Sequence, residues 1–230
     1  MLKKKIVFDT INYLTDILMR SYTMKRNRRF AVWVCVLMVL FTGCGQAGGM
    51  KAVESDTISV EKNGRITYYL VGDLDRDYYS LSELSAMAAD EADRFNKSAG
   101  KDGAAVVDRV EMLPENESKA MIVYQFDGYS SFNDFVRKFN KGEGNFFYGT
   151  VEEALNLGYT CTALKNVKDG TLITEEQLKQ EGTKKLIITD EKAVIYCSEK
   201  AACLSDGAVL REDGSVDASA AEGTVYILMK

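Results

Sequence analysis

Three groups of side chains in this chain are of a type that could do chemistry. The densest is the acidic run GDLDRDYYSLSEL, in which Asp73, Asp75 and Asp77 alternate just ahead of Glu83. Alternating carboxylates before a helix are the raw material of a calcium loop, because a hard cation gathers its oxygens from a sharply turning backbone. The spacing fails that geometry. Glu83 falls one position short of the closing bidentate carboxylate, and Tyr78 stands where an EF-hand loop turns on glycine. The expectation is a solvated acidic loop that complements the positive end of the following helix, with Asp73, Asp75 and Asp77 as second-rank calcium candidates.

The second group is Cys161, Cys197 and Cys203, which have no CxxC spacing, in a chain without histidine. That combination excludes the common zinc sites. A Cys197–Cys203 disulfide across a turn between strands is allowed in an oxidising compartment, and buried free thiols are the alternative. The missing histidine also removes the commonest general base and every Ser-His or Cys-His nucleophile pair. What remains for hydrolysis is a pair of carboxylates of the glycosidase kind. Asp127, Glu152 and Glu153 lie near aromatic residues, yet the last two fit the first turn of a capped helix. The third group is aromatic: Tyr69, Tyr79 and Tyr148 are the surface candidates for stacking a sugar or peptide. No cofactor is expected, since the Gly142–Gly144 segment lacks the preceding strand and glycine spacing of a phosphate loop.

The elements that must position these groups read as hairpins and short capped helices. Alternation at Ile58 and Val60, then at Ile66, Tyr68 and Leu70, flanks Asn63-Gly64 and predicts a hairpin closed by a type I′ turn. Ser80 with Glu83 forms a capping box opening a helix whose apolar stripe is Leu81, Leu84, Ala88, Ala92 and Phe95, ended near Gly100. Ala104–Leu113 and Lys119–Phe126 predict a second hairpin, and Phe132, Phe135, Val136 and Phe139 the buried face of a second helix. Residues 142–149 read as loop. Thr150 with Glu153 and residues 174–180 predict two short capped helices. Strands are expected at 159–167, 186–189, 193–197 and 224–229, separated by Asp-Gly turns. The fold class is therefore α+β: a single domain with an antiparallel sheet built from hairpins and two to four helices packed on one face.

The segment MKRNRRFAVWVCVLMVLFTGCGQ from Met24 has a basic start, an apolar run and small residues before a cysteine, the pattern of a secretory signal. The run is shorter than the roughly 20 residues a membrane-crossing helix needs. Phe41-Thr42-Gly43-Cys44 resembles the lipobox of bacterial lipoproteins, with Phe41 where that family usually has leucine. The resemblance implies acylation and cleavage at Cys44, giving a firm membrane-lipid anchor because each buried CH₂ contributes about 0.8 kcal/mol. Together with YYSLSEL and FFYGTVEEALNLGY, it extends to uncharacterised lipoproteins of Gram-positive bacteria, and implies a site on the outer face of the cytoplasmic membrane. The expected organisation is an upstream extension at 1–23, a signal peptide at 24–43, the lipidated cysteine and a tether at 44–55, and a globular domain at 56–230.

Charge sharpens the functional expectation. Of 29 basic and 34 acidic residues, the 43 that precede Cys44 hold eight and two, which leaves 21 against 32 and a net charge of −11 downstream. Such a body is repelled by phosphate backbones, so nucleic acid is not an expected partner. The expectation is a non-enzymatic binding or envelope-associated module whose partner is an envelope protein or glycan, with a carboxylate-based glycan hydrolase as the alternative.

Overall fold

Strand β1 (Thr57–Val60) opens the described part of the fold and antiparallel pairing with β2 (Ile66–Asp73) places Val60 opposite Ile66. The computed structural model describes residues 53–74, 80–114, 116–139, 141–160 and 163–230. The expected leader, Cys44, Asp75, Asp77, Tyr79 and Cys161 lie outside the described residues. Ala47–Lys230 form one compact unit. The hairpin forms where expected but not with the expected turn. Gly64 N–H donates to Glu61 C=O at 2.9 Å, and Gly64 alone takes the left-handed conformation, at φ 87°. This is a longer turn with glycine at its bulge, so Asn63 needs no positive φ.

Helix α1 (Leu81–Ala99) starts at Ser80, whose hydroxyl accepts the Glu83 N–H, and stops at Gly100 in the left-handed conformation. Strands β3 (Ala105–Leu113) and β4 (Asn116–Phe126) make the second hairpin, and β4 also pairs with β2. Helix α2 (Tyr129–Phe139) follows, burying Phe132, Phe135 and Val136. The segment read as loop contains strand β5 (Phe146–Thr150), which runs into helix α3 (Val151–Asn156) through a complete Thr150–Glu153 capping box. Strands β6 (Leu164–Asn166) and β7 (Leu172–Ile173) precede helix α4 (Glu175–Gln180), capped by Thr174 and Gln177. The remainder is strand: β8 (Lys185–Thr189), β9 (Val194–Cys197), β10 (Ala201–Leu204), β11 (Val209–Leu210), β12 (Val216–Asp217) and β13 (Val225–Met229).

The class is α+β, but the strands form two sheets where one was expected. The first has order β11-β12-β9-β1-β2-β4-β3 and the second β5-β8-β13-β10-β6-β7. Pairing is antiparallel except between β1 and β9, which run parallel with Ile58 opposite Ile195. The main core takes Ile58, Tyr68 and Tyr124 from the first sheet, Phe146, Ile187 and Ile227 from the second, and the apolar faces of α1 and α2. A second core joins Phe147, Leu186, Ile188 and Leu228 of the second sheet to Val151 and Ala154 of α3 and Leu178 of α4. The helices thus divide between two cores. A ring cluster holds α2 in place: Phe132 meets Tyr68 edge-on at 5.4 Å between centroids, and Phe135 lies 4.8 Å from Tyr124. Such pairs add about 0.5–1.5 kcal/mol each beyond burial.

Strand β5 ends the second sheet, so the outer edge of its backbone lacks a strand partner. Asn133 of α2 supplies one. Its amide donates to Phe146 C=O at 2.8 Å and its carbonyl accepts Phe146 N–H at 2.8 Å. One side chain thereby closes the edge of a buried strand, as the rule that buried backbone groups be paired requires.

Candidate functional site

Helix α1 packs mainly against β3 and touches β4, and a groove of about 460 Å³ opens between the helix and strands β2 and β4. Leu70 of β2, Ala120 and Ile122 of β4, and Leu84 and Met87 of α1 contribute its apolar walls. Asp73, Ser80 and Glu83 line one end, because β2 finishes where α1 begins. Strand register orients the groove: Gly72 pairs with Ala120, Leu70 with Ile122, and Tyr68 with Tyr124.

Lys141 also lines the groove. Its Nζ lies 3.3 Å from Glu91 Oε1, with side chains only 16% and 13% exposed, and Glu91 Oε2 accepts the Tyr124 hydroxyl at 3.0 Å. Burial pushes the Tyr124 phenol far above the ordinary tyrosine range, and the Glu91 charge adds to it. A protonated Tyr124 is the donor that this carboxylate needs.

The backbone that carries Lys141 is fixed by its own contacts. Lys141 N–H donates to Val136 C=O at 2.9 Å, and its carbonyl accepts the Tyr68 hydroxyl at 3.3 Å. Buried Glu191 accepts the Gly144 N–H at 2.6 Å, and the Glu143 and Asn145 amides also favour its charged form. Desolvation outweighs them and raises its pKa above the usual carboxylate value. A Cβ at Gly142 would collide with the Glu191 carboxylate, which explains glycine there. Asp56, also raised by desolvation, accepts Val71 N–H at 2.8 Å and lies 3.4 Å from the Tyr68 hydroxyl.

The residues singled out from sequence are not brought together. Asp73 is exposed at the end of β2, while Asp75, Asp77 and Tyr79 lie outside the described residues. No group of three or more potential metal-ligating side chains occurs among the described residues. Tyr69 is half-buried on the opposite face from the groove, against Leu113, Met121 and Val123.

Tyr148 corrects the expectation of a surface ring. It is 6% exposed, within the main core, and its hydroxyl makes no hydrogen bond to a protein group. Burial pushes its phenol up to about 12, with Cys197 and Glu199 adding to the shift. The misreading has a physical cause: both faces of the second sheet are covered, so alternation along β5 does not separate inside from outside.

Cys197 and Cys203 are free thiols, contrary to the bridge considered above. Cys197 packs against the main core from the first sheet, whereas Cys203 sits in the second core on the second sheet. Closeness in sequence does not bring the two sulfurs into one layer. Burial raises the pKa of both, which suppresses thiolate chemistry.

Among the carboxylates near aromatic residues, Asp127 pairs with Lys101. Partial burial opposes its ionisation, but hydrogen bonds from Lys101 and Ser131 bring its pKa below the usual value. Glu153 accepts the Thr150 N–H at 2.6 Å, completing the capping box, and that bond lowers its pKa.

The sequence reading selected neither Lys141, which lines the groove, nor Glu91 and Tyr124, which hold it from behind. Glu91 did carry a signal: it lies three residues after Ala88 on the buried stripe of α1, an anomalous place for a carboxylate without a partner. Compared with known proteins, the chain matches no family model, no curated protein sequence and no solved structure.

Proposed function

We propose that this chain is an exported lipoprotein held by acylated Cys44 on the outer face of the cytoplasmic membrane. Its globular part is a non-enzymatic binding module, and the groove between α1 and strands β2 and β4 is its ligand site. The observation that carries the binding reading is an apolar concavity of about 460 Å³ with a fixed polar pair at one end, within the size range of small-ligand sites, about 300–1,000 Å³. The signal pattern before Cys44 supports the anchor, and the net charge of −11 downstream argues against nucleic acid.

A carboxylate-based glycan hydrolase has less support. Buried Glu191 and half-buried Asp56 are engaged by backbone amides, Glu91 is held by Lys141 and Tyr124, and Glu153 closes a helix cap.

Glycerol-lipid labelling in cells tests the anchor, with incorporation expected in wild type and lost in Cys44→Ala; equal labelling overturns it. For the groove, the lipidated protein carrying ¹³C-methyl methionine is placed in phosphatidylcholine nanodiscs and titrated with decane. A saturable shift of the Met87 signal, identified by its loss in Met87→Leu, is expected. A Met87 signal indifferent to decane overturns the ligand site.

A further inference from the structure

The two ends of the groove differ in chemistry, and the difference defines what it can hold. At one end Asp73 and Glu83 line it. At the other, Lys141 reaches the lining while Glu91 and Tyr124 stand behind it, with both Glu91 oxygens already engaged. The Lys141 ammonium has three N–H donors and gives one to Glu91, so further donors can turn toward the groove. Four strand residues, from the Gly72–Ala120 pair to the Tyr68–Tyr124 pair, separate the ends; at roughly 3.3 Å per residue this is about 13 Å.

Charge then selects among apolar ligands. An anionic head would find Lys141 already neutralised by Glu91, whose carboxylate lies 3.3 Å from the ammonium. A cationic head would meet the Lys141 ammonium at one end, and at the other Glu83, whose exposed charge is screened by solvent. A head that is uncharged and accepts a hydrogen bond meets neither penalty, and it satisfies a donor that an all-hydrocarbon ligand would leave unpaired. We propose that the groove holds an uncharged amphiphile of medium chain length, an alcohol, ester or amide, whose oxygen accepts a hydrogen bond from Lys141. Lys141 is suited to this by rigidity: the Val136 and Tyr68 bonds fix its own backbone, Glu191 clamps the next turn, and Arg137 holds Gly144 C=O at 2.9 Å. A donor fixed beforehand loses little freedom when the ligand arrives.

This rests on the groove being the ligand site, so the test uses the same Met87 signal with four probes of equal chain length: decane, 1-decanol, decanoate and decyltrimethylammonium. Affinities are expressed as mole fraction in the nanodisc lipid. Decanol should bind roughly tenfold more tightly than decane, the value of a hydrogen bond to a charged donor, and more tightly than either ion. In the double variant Lys141→Met/Glu91→Gln, which removes the Lys141 donor and leaves no unpaired charge, decanol should fall toward decane. Equal binding of decane and decanol by wild type overturns the head-group assignment while leaving the groove intact. Tightest binding of decanoate or decyltrimethylammonium also overturns it. Failure of every probe to move Met87 removes the groove reading itself. The wild-type comparison needs no variant to fold.

Discussion

Asn133 offers the sharpest test of how the second sheet is held. Its amide bonds both the N–H and the C=O of Phe146, each at 2.8 Å, and Phe146 is 1% exposed. Asn133→Ala removes both partners at once. An unsatisfied buried backbone group costs about 1–3 kcal/mol, so the pair costs about 2–6 kcal/mol. Asn133 is itself half-buried, and water reaching one of the two groups brings the expectation to about 1–3 kcal/mol. For a chain of this size each kcal/mol shifts the melting temperature by about 2–4 °C, giving a loss of about 2–12 °C. The assay is urea denaturation of wild type, Asn133→Ala and Asn133→Asp, read as the midpoint at unchanged m. Aspartate keeps an acceptor for the Phe146 N–H but sets a charged oxygen against the Phe146 carbonyl, so it should be at least as damaging as alanine. A change below about 0.5 kcal/mol for Asn133→Ala, the range of ordinary surface substitutions, would refute the argument that this side chain closes the strand edge.

Further expectations follow from burial. Alkylation of the denatured protein without reductant should modify both Cys197 and Cys203, and a peptide linking them by a disulfide would contradict their separation into two cores. Tyr68 and Tyr124 have folded pKa values raised mainly by desolvation. Their contribution to stability is therefore full below the ordinary tyrosine range and is lost as pH rises through the folded values. Phenolate absorbance should show Tyr148 titrating near 12, with Tyr68 and Tyr124 ionising only as the fold opens. Ionisation of all three at the unperturbed value would contradict the burial. Glu191 is a carboxylate raised by desolvation, so its protonated form favours the fold, and its contribution decreases as pH rises through the folded value. Glu191→Gln should flatten that segment of the stability–pH curve; an unchanged slope would assign the dependence elsewhere.

The parts of the fold legible in the sequence are those governed by local chemistry. Ser80 caps α1 through its hydroxyl without the return bond from the Glu83 side chain that a full box requires, and the Gly100 stop and the Thr150–Glu153 box form as their residue types dictate. The same holds for the Phe132, Phe135 and Val136 face of α2. What escaped is non-local. Strand β5 was hidden because FFYG is buried on both sides, giving a short apolar run with no useful period, next to glycines that suggest loop. Strands β11 and β12 are two residues each, too short for any pattern. The site was less legible still. Lys141, Glu91 and Tyr124 come from three separate regions and none is singled out by the sequence reading, although Glu91 carries a signal in interrupting an apolar stripe. Alternation as a guide to exposure fails for Tyr148, because the sheet that carries β5 has cover on both faces.

The position of β1 has a consequence for the order in which the protein can be made. Its neighbours are β2, six residues along the chain, and β9, which begins 134 residues after Val60. A chain delivered amino terminus first can build the β1–β2 hairpin, α1 and the β3–β4 hairpin early, yet one side of β1 stays open until residues 194–197 arrive. At synthesis rates of about 5–20 residues per second, that interval is about 7–27 s. Throughout it, an exposed ladder of unpaired amides and carbonyls is available to any other extended chain. Truncation before β9 should therefore yield a sticky intermediate in place of a smaller stable body, and the segment from β9 onward, residues 194–230, acts as the latch that retires this edge.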